Sequence, residues 1–289
     1  MKSRPPDPIP NGLARRTTRR ALAVSLASPW LARPRRVTVT KPQVESLLRM
    51  RVDGPTDAYQ WFGIEAMTLK PGAVQRYGDD LGPGTGDVGF VVQRGTIRFE
   101  TDGPALFARR GGDILAAGTP LGAGDAVLLE PGDQGSTGPG VVSRRRNVGR
   151  DAADTIELAL TTIGTPPDST PGVSYIDLSG EVFPLPGRPG TPSPSLLTLA
   201  RVTLPPGGQI RARALPALEM MAVESGRLAV VDAANPLVSS GLAEPSRPRR
   251  LLGPRSGVSD LKRTLAPATI LRNPDATPTA FLAASEETR

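Results

Sequence analysis

Short runs of alternating apolar and polar residues, separated by glycine- and proline-rich turns, are the main pattern of this sequence. In the first half the β-rich segments are 64–69, 88–99, 125–130 and 155–162. In the second half they are 196–204, 219–231 and 279–284. Alternation with a period of two is typical of strands that bury one face, and frequent turn residues favour short strands over long helices. The pattern therefore predicts an all-β fold.

The two halves of the chain share three landmarks in the same order. A Pro-Gly turn follows an apolar strand at residues 71–72 and again at 206–207, and a glycine within a strand pair recurs as Gly95 and Gly226. An Arg-Asn pair that precedes another apolar strand ends at Asn147 in the first half and at Asn273 in the second. A repeat of about 100 residues predicts two similar β domains in tandem.

The order of landmarks in each half resembles the cupin superfamily: a strand that ends in Pro-Gly, a hairpin through a glycine and a later Arg-Asn turn. Because the order occurs twice, the chain resembles a bicupin. The resemblance covers roughly residues 45–285, and it extends to uncharacterised exported bacterial cupin-domain proteins. It implies two double-stranded β-helix barrels, also called jelly rolls or RmlC-like barrels. The segments expected on this basis are a leader (1–36), a first barrel (37–165), a Pro/Gly-rich linker (166–194) and a second barrel (195–289) with a long loop at 233–262.

In cupins, His and Glu residues of two motifs converge on a metal inside the barrel. The spacing of these motifs is kept in this chain, but every His position holds another residue: Gly78, Asp80 and Ser143 in the first barrel, and Arg213, Leu215 and Thr269 in the second. Val88 holds the Glu position of the first barrel, whereas the second barrel keeps a glutamate there, Glu219. Because alternate strand residues face a barrel lumen, we expect these residues to line two ligand pockets. Neither set suits a transition metal, so no metal and no other cofactor is predicted.

The chain contains no His and no Cys. Disulfides, thiolate metal sites, cysteine nucleophiles and Ser-His-Asp catalysis are therefore excluded, and so is the side chain that most often transfers protons near neutral pH. No residue is assigned a catalytic role. A general acid or base at Glu219 or Asp80 stays open as the enzymatic alternative, although pairing of Glu219 with Arg213 or exposure to solvent is the simpler interpretation.

The net charge of +7 is concentrated in the leader, because residues 1–36 contain nine basic side chains and a single acidic one, Asp7. The remaining residues are nearly neutral and the chain is only 4% aromatic, so a nucleic-acid-binding body is not expected. Arg144, Arg145 and Arg146 form a basic run, but side chains alternate along a strand, so at most two share a face. A solvated edge is the expected role of that run.

The leader places Arg19 and Arg20 before a short apolar stretch, as a twin-arginine export signal does. It predicts export to the periplasm or beyond; without such a signal the protein would be cytoplasmic. No apolar run is long enough to predict a membrane span.

Together these observations predict a non-metal, non-catalytic bicupin that binds a small molecule or a protein partner. Two alternatives remain open. One is a lyase or isomerase that uses carboxylates, and the other is a structural cupin dimer whose barrels are filled by side chains. Homodimerisation is implied only by the resemblance, and neither the ligand nor the partner can be identified from the sequence.

Overall fold

The computed structural model describes residues 41–52, 61–77, 86–161, 170–178, 183–184, 195–215, 218–231, 250–252, 257–258 and 269–288. The leader therefore lies outside the described residues, and so do the predicted pocket residues Gly78 and Asp80. For Arg213 and Glu219 the structure describes the backbone alone. No described helix is long and apolar enough to cross a membrane.

The elements of the first half are β1 (Gln43–Val52), β2 (Trp61–Leu69), β3 (Val74–Tyr77), β4 (Asp87–Arg94), β5 (Ile97–Thr101), β6 (Ala105–Ala108), α1 (Ile114–Ala117), β7 (Thr119–Leu121), β8 (Ala126–Leu129), β9 (Gln134–Thr137), β10 (Ser143–Asn147) and β11 (Ala153–Thr161). Those of the second half are β12 (Val173–Asp177), β13 (Phe183–Pro184), β14 (Ser195–Leu204), β15 (Gln209–Arg211), a 3-10 turn (Ala212–Ala214), β16 (Leu218–Ser225), β17 (Leu228–Val231), β18 (Arg250–Leu252), β19 (Gly257–Val258), β20 (Ile270–Arg272) and β21 (Thr279–Thr288).

The first barrel is built from two antiparallel sheets. One contains the strand order β3-β10-β5-β8, and the other contains β2-β11-β4-β9, extended by β6 and β7. Numbering the eight strands of the barrel along the chain as 1 to 8 gives sheet orders 2-7-4-5 and 1-8-3-6, which is the jelly-roll arrangement. The predicted segment 88–99 forms two of these strands, because Gly95 turns the chain at a φ of 80°.

The second barrel repeats this strand order. One sheet runs β15-β20-β17-β18 and the other runs β14-β21-β16-β19. The all-β architecture of two tandem double-stranded β-helix barrels, predicted from the sequence, is confirmed. Two of its strands, β18 and β19, lie within the segment 233–262 that the sequence indicates to be a loop.

Three strands pair with a barrel other than the one expected from their place in the sequence, or lie in the segment expected to be a linker. β1 precedes the first barrel along the chain, yet it pairs antiparallel with β14 of the second barrel, where Val52 faces Ser195. β12 and β13 fall within the linker 166–194 and both pair with β2 of the first barrel. Each barrel is thus completed by a segment outside its own run of eight strands.

Three apolar clusters hold the structure together. One fills the second barrel, one fills part of the first, and the third lies between the larger sheets of the two barrels. The cluster between the sheets contains Leu48 and Met50 of β1 together with Leu158 of β11 and Leu282 of β21. The outer faces of these two sheets are therefore buried against each other, which leaves the two four-stranded sheets on the outside.

The asparagines of the repeat fix the correspondence between the barrels. Asn147 Nδ2 donates to the carbonyl of Leu69, and Asn273 Nδ2 donates to that of Leu204. Counting two residues back from each asparagine therefore aligns Arg145 with Leu271. This alignment makes it possible to compare the interiors of the two barrels position by position.

Candidate functional site

A buried ion pair lies inside the first barrel. Arg145 on β10 and Glu157 on β11 are bonded through Nη1 and Oε1, and their side chains are 1% and 2% exposed. Thr155 Oγ1 donates a second hydrogen bond to the same carboxylate oxygen at 3.0 Å. The alternation of β10 produces this placement, since Arg145 is buried whereas Arg146 is exposed. Removing one partner of such a pair leaves the other charge buried without a counter-ion, so each group depends on the other.

Aromatic rings enclose the guanidinium of Arg145. Its Cζ atom lies 4.1 Å from the ring centroid of Phe90 and 5.9 Å from that of Tyr77. Phe90 in turn contacts Phe99 edge-on, with 5.2 Å between their centroids. A cation over a ring face is attracted by the ring quadrupole, and more strongly when both are shielded from water. The rings therefore hold the arginine head in place from the sides that the carboxylate does not cover.

A second carboxylate and two phenols lie close to this pair. Glu65 on β2 stands opposite Glu157 in the antiparallel register. Burial raises the pKa of Tyr77 well above its ordinary value, and the charges of Glu65 and Glu157 raise it further. Burial also raises the pKa of Tyr175, with Glu157 as the next cause. Both hydroxyls therefore remain protonated throughout the physiological pH range and are available as hydrogen-bond donors.

Several buried polar atoms around the pair have no hydrogen-bond partner among the described residues. They include the Ser143 Oγ and Arg145 Nε atoms, and also Gln75 Oε1 and the Tyr175 hydroxyl, although these two side chains are close enough to interact with each other. Gln75 stands directly opposite Arg145 in the register of β3 and β10, and Ser143 lies two residues from Arg145 on the same face. A buried polar group without a partner costs about 1–3 kcal/mol, so a cluster of them requires an explanation.

Most of the corresponding positions of the second barrel are apolar; the exception is Thr269, which corresponds to Ser143 and whose buried Oγ1 atom also has no partner among the described residues. Arg145 corresponds to Leu271 and Glu157 to Ala283, both inside the second barrel's core. Continuing the same alignment along each strand gives three further pairs of counterparts: Gln75 with Ile210, Phe90 with Met221, and Glu65 with Ala200. The jelly roll therefore does not require charged groups at these positions, and the first barrel carries them in addition to what its fold needs.

The predicted pocket residues fall into three groups. Val88 and Ser143 are completely buried in the first barrel, on β4 and β10 of its two facing sheets. Leu215 and Thr269 are buried in the second barrel, where Leu215 belongs to the apolar core. The remaining four are Gly78 and Asp80, outside the described residues, and Arg213 and Glu219, whose side chains are not described.

Sequence reasoning missed the Arg145–Glu157 pair. Arg145 belongs to a run of three arginines, for which solvent exposure is the ordinary interpretation, and Glu157 is the one charged residue in the otherwise apolar segment 156–160. A charged residue in the middle of such a strand was the available signal, because isolated carboxylates are almost never fully buried. Ser143 and Asn147 are both positions of the motif, and Arg145 lies two residues from each of them. Because side chains alternate along a strand, all three point to the same side, which also predicts that Arg145 points inward.

The described residues do not fit the metal that the resemblance implies. They contain no group of three or more carboxylates positioned to hold an ion. Ser143 and Val88, at two of the ligand positions, supply a hydroxyl and an alkyl group, and the nearby carboxylate of Glu157 already binds a guanidinium. A metal cation would therefore have to compete with Arg145 for that carboxylate.

The sequence matches no known protein family profile, and no curated protein is similar to it at a significant level. Several solved structures are similar to the chain at low identity. The protein YhaK from Escherichia coli is 16% identical, with a TM-score of 0.36 over 77% of this chain and 83% of that one. An oxalate decarboxylase variant from Bacillus subtilis is 13% identical, with a TM-score of 0.42 over 79% and 71%.

A cupin 2 conserved barrel domain protein from Leptotrichia buccalis is 12% identical, with a TM-score of 0.31 over 87% of this chain and 92% of that one. Similarities of this size carry no information about activity. The strand order of both barrels and the contacts of the repeated asparagines are the stronger observations. On them, the chain has the two-barrel, cupin-like fold that its sequence predicted.

Proposed function

We propose that this protein binds a small, neutral, hydroxyl-bearing molecule inside its first barrel and performs no chemistry on it. The observation that carries the proposal is the contrast between the two interiors. The two barrels have the same strand order, yet their interiors differ at three corresponding positions. The first barrel holds Arg145, Glu157 and Gln75, and the second holds Leu271, Ala283 and Ile210. A few polar groups placed among apolar and aromatic side chains, and not needed by the fold, are the feature expected of a small-molecule site.

The charges favour a neutral ligand. The guanidinium of Arg145 is already paired with Glu157, and Glu65 adds a second carboxylate opposite that residue. An added anion would meet these carboxylates in a setting of low dielectric constant, where repulsion between like charges is strong. A neutral molecule avoids this repulsion and can still hydrogen bond.

The orphaned atoms favour hydroxyl groups on the ligand. Gln75 Oε1 accepts hydrogen bonds, Arg145 Nε donates them and Ser143 Oγ does both. A molecule with several hydroxyls can donate and accept at once, and the ring of Phe90 provides an apolar wall for its carbon skeleton. Polyols and simple sugars have this combination.

The other interpretations are supported less well by the described residues. Among the described side chains, the second barrel holds an apolar cluster with no buried ion pair, which is closer to what a structural role requires, whereas the first barrel holds the Arg145–Glu157 pair. The enzymatic alternative rests on Asp80 and Glu219, of whose side chains nothing is described, so it stays a prediction. We also propose that the basic leader exports the protein; cell fractionation with and without the leader would test this part separately.

The binding proposal is tested with a panel of neutral polyols and sugars beside a panel of two- to four-carbon carboxylates. We expect a subset of the neutral compounds to raise the thermal unfolding midpoint and to give saturable heats by calorimetry. Ser143→Ala should weaken binding about tenfold, because it removes one buried hydrogen-bonding group. Thr269→Val changes the corresponding residue of the second barrel and should leave affinity unchanged. Binding of carboxylates alone, or equal effects of the two substitutions, would refute the proposal.

A further inference from the structure

The outer face of the sheet β3-β10-β5-β8 carries a compact group of arginines. The side chains that alternate outward are Val74 and Arg76 on β3, Arg144 and Arg146 on β10, Arg98 and Glu100 on β5, and Ala126 and Leu128 on β8. β10 lies between β3 and β5, so the expectation that the basic run forms a solvated edge is wrong. The run instead divides between two environments, with Arg145 inside the barrel and its two neighbours on the outer face.

The arginines stand directly beside one another across the strands. Arg146 faces Arg98, and Arg144 faces Arg76 on one side and Glu100 on the other. The carboxylate of Glu100 bonds Arg98 at 2.5 Å. Like charges placed directly opposite on a sheet destabilise it, so this arrangement works against the stability of the fold. A negatively charged binding partner would relieve this repulsion.

The corresponding face of the second barrel is arranged differently. Its arginines, Arg211 and Arg272, face Ile270 and Gln209 across the strands. Both arginines are exposed, yet neither stands opposite another cation in this register. The clustering of arginines is therefore a property of the first barrel's sheet and not of the repeat.

We propose that this arginine face binds an extended acidic polypeptide segment of a partner protein. Arg144 and Arg146 are two residues apart on one strand, so their Cα atoms lie about 6.8 Å apart. Carboxylates at alternate positions of an extended peptide have the same spacing, and guanidinium groups pair with carboxylates in two-point contacts. Leu128, 53% exposed, lies two strands from Arg146 across the sheet, opposite Arg98 in the register, and offers an apolar contact beside the arginines.

Other occupants fit this face less well. The outward positions of the four strands carry no aromatic side chain on which nucleic-acid bases could stack. A two-fold contact with a second copy of the chain would set the same arginines against each other, because such an interface uses one patch twice. An acidic peptide satisfies both the charge of this face and the spacing of Arg144 and Arg146.

The test uses the full chain and a fluorescein-labelled peptide of sequence Glu-Thr-Glu-Leu-Glu-Thr-Glu-Leu, with binding followed by fluorescence anisotropy at low salt. The peptide in which Gln replaces every Glu measures the charge requirement. The double variant Arg144→Ser/Arg146→Ser should weaken binding about tenfold. The matched control, Arg211→Ser/Arg272→Ser, removes the same charge from the corresponding sheet and leaves the basic leader unchanged.

Binding that depends on Glu, and that the first double variant weakens while the control variant does not, supports the proposal. Equal weakening by the two double variants would show attraction to net charge alone and would overturn it. A complete lack of saturable peptide binding would overturn it as well. A single-stranded oligonucleotide that binds this face more tightly than the peptide would identify nucleic acid as the occupant instead. Binding of polyols in the barrel interior should be unaffected by either double variant, which separates this test from that of the proposed function.

Discussion

Asn147 and Asn273 perform the same structural task in the two barrels. Asn147 Nδ2 donates to the carbonyl of Leu69 at 2.9 Å, and its Oδ1 atom accepts from the backbone of Gly149 at 2.8 Å. Asn273 binds Leu204 through Nδ2 in the same way and accepts from the backbone of Asp275. Each amide thus joins the strand before the Pro-Gly turn to the loop that leads into the last strand of its barrel.

Replacing Asn147 with Ala should lower the free energy of unfolding by about 2–3 kcal/mol, because buried backbone carbonyls would lose their donor. Asn273→Ala should have a similar effect. Asn147→Asp keeps the size of the side chain but cannot donate from the second oxygen, so it should destabilise too. Urea unfolding followed by tryptophan fluorescence would measure all three. A loss smaller than about 0.5 kcal/mol for the alanine variants would contradict this role.

The ion pair between Arg145 and Glu157 should behave as a unit. Arg145→Met alone leaves Glu157 buried without its partner and should destabilise the protein by about 3–5 kcal/mol. Adding Glu157→Leu should restore most of this loss, because the interior then resembles that of the second barrel. The four unfolding free energies form a double-mutant cycle. Additive losses would show that the two groups do not depend on each other.

The same double variant separates stability from binding. If the pair supports a ligand site, Arg145→Met/Glu157→Leu should fold with near-normal stability and lose affinity for the polyols that bind the unaltered protein. Loss of binding combined with a retained unfolding midpoint is the expected result. Unchanged affinity in this variant would place the ligand elsewhere.

The buried phenols make stability depend on alkaline pH. The pKa values of Tyr77 and Tyr175 are raised in the folded state above the ordinary value of 10.0. Their contribution to stability is therefore complete below pH 10.0 and is lost as the pH rises further, when only the unfolded chain releases the protons. The loss approaches about 1.4 kcal/mol per pH unit for each tyrosine.

Tyr77→Phe/Tyr175→Phe should reduce this alkaline loss of stability, measured by urea unfolding at a series of pH values. Phenolate absorbance provides an independent measurement, since two of the chain's three tyrosines should titrate only when the protein unfolds. Titration of all three tyrosines near pH 10 in the folded protein would contradict the burial of these hydroxyls.

Relieving the repulsion on the arginine face should stabilise the protein. Arg146→Thr removes one member of the pair that Arg146 forms with Arg98 and introduces a residue that favours strands. We expect a gain of about 0.5 kcal/mol in the free energy of unfolding, decreasing as salt screens the charges. Arg272→Thr in the second barrel faces Gln209 and serves as the control. A loss of stability for Arg146→Thr would show that the arginine supports the fold.

Tag-free protein should contain less than stoichiometric metal by elemental mass spectrometry. Arg145 already binds Glu157, and the described residues offer no group of three metal-ligating side chains. A polyhistidine tag must be absent because it would supply the missing ligands. One tightly held metal ion per chain would contradict this prediction and direct attention to Asp80 and Glu219.

The sequence predicted those features of the fold that depend on local chemistry. Gly95 and Gly226 are landmarks of the repeat because both adopt positive φ and lie against the last strand of their barrel. A Cβ atom on Gly95 would lie 2.7 Å from that of Ala153, and one on Gly226 would lie 2.4 Å from Thr279 Oγ1. Only glycine both adopts a positive φ without strain and leaves room for the neighbouring strand, so a glycine is found at this position in both halves of the chain.

Features that depend on distant pairing could not be predicted in this way. β1 alternates like any half-buried strand, and nothing in its residues indicates that its partner is β14 and not β2. The burial of Arg145 and Glu157 could not be predicted for the same reason. An arginine is stable inside a barrel only when a carboxylate from another strand pairs with it. Such a match between strands 12 residues apart is a property of the folded barrel, not of either segment.

The pairing of β1 with β14 also has a consequence for synthesis on the ribosome. Val52 leaves the ribosome about 140 residues before its partner Ser195, a delay of roughly 7–30 s at ordinary rates of translation. The first barrel can assemble during this time, and the side chains of Leu48 and Met50 can pack against Gly89 on its strand β4. The backbone N–H and C=O groups of β1 still lack a partner strand until β14 emerges. A chaperone that shields this unpaired strand edge would therefore be expected to increase the yield of folded protein.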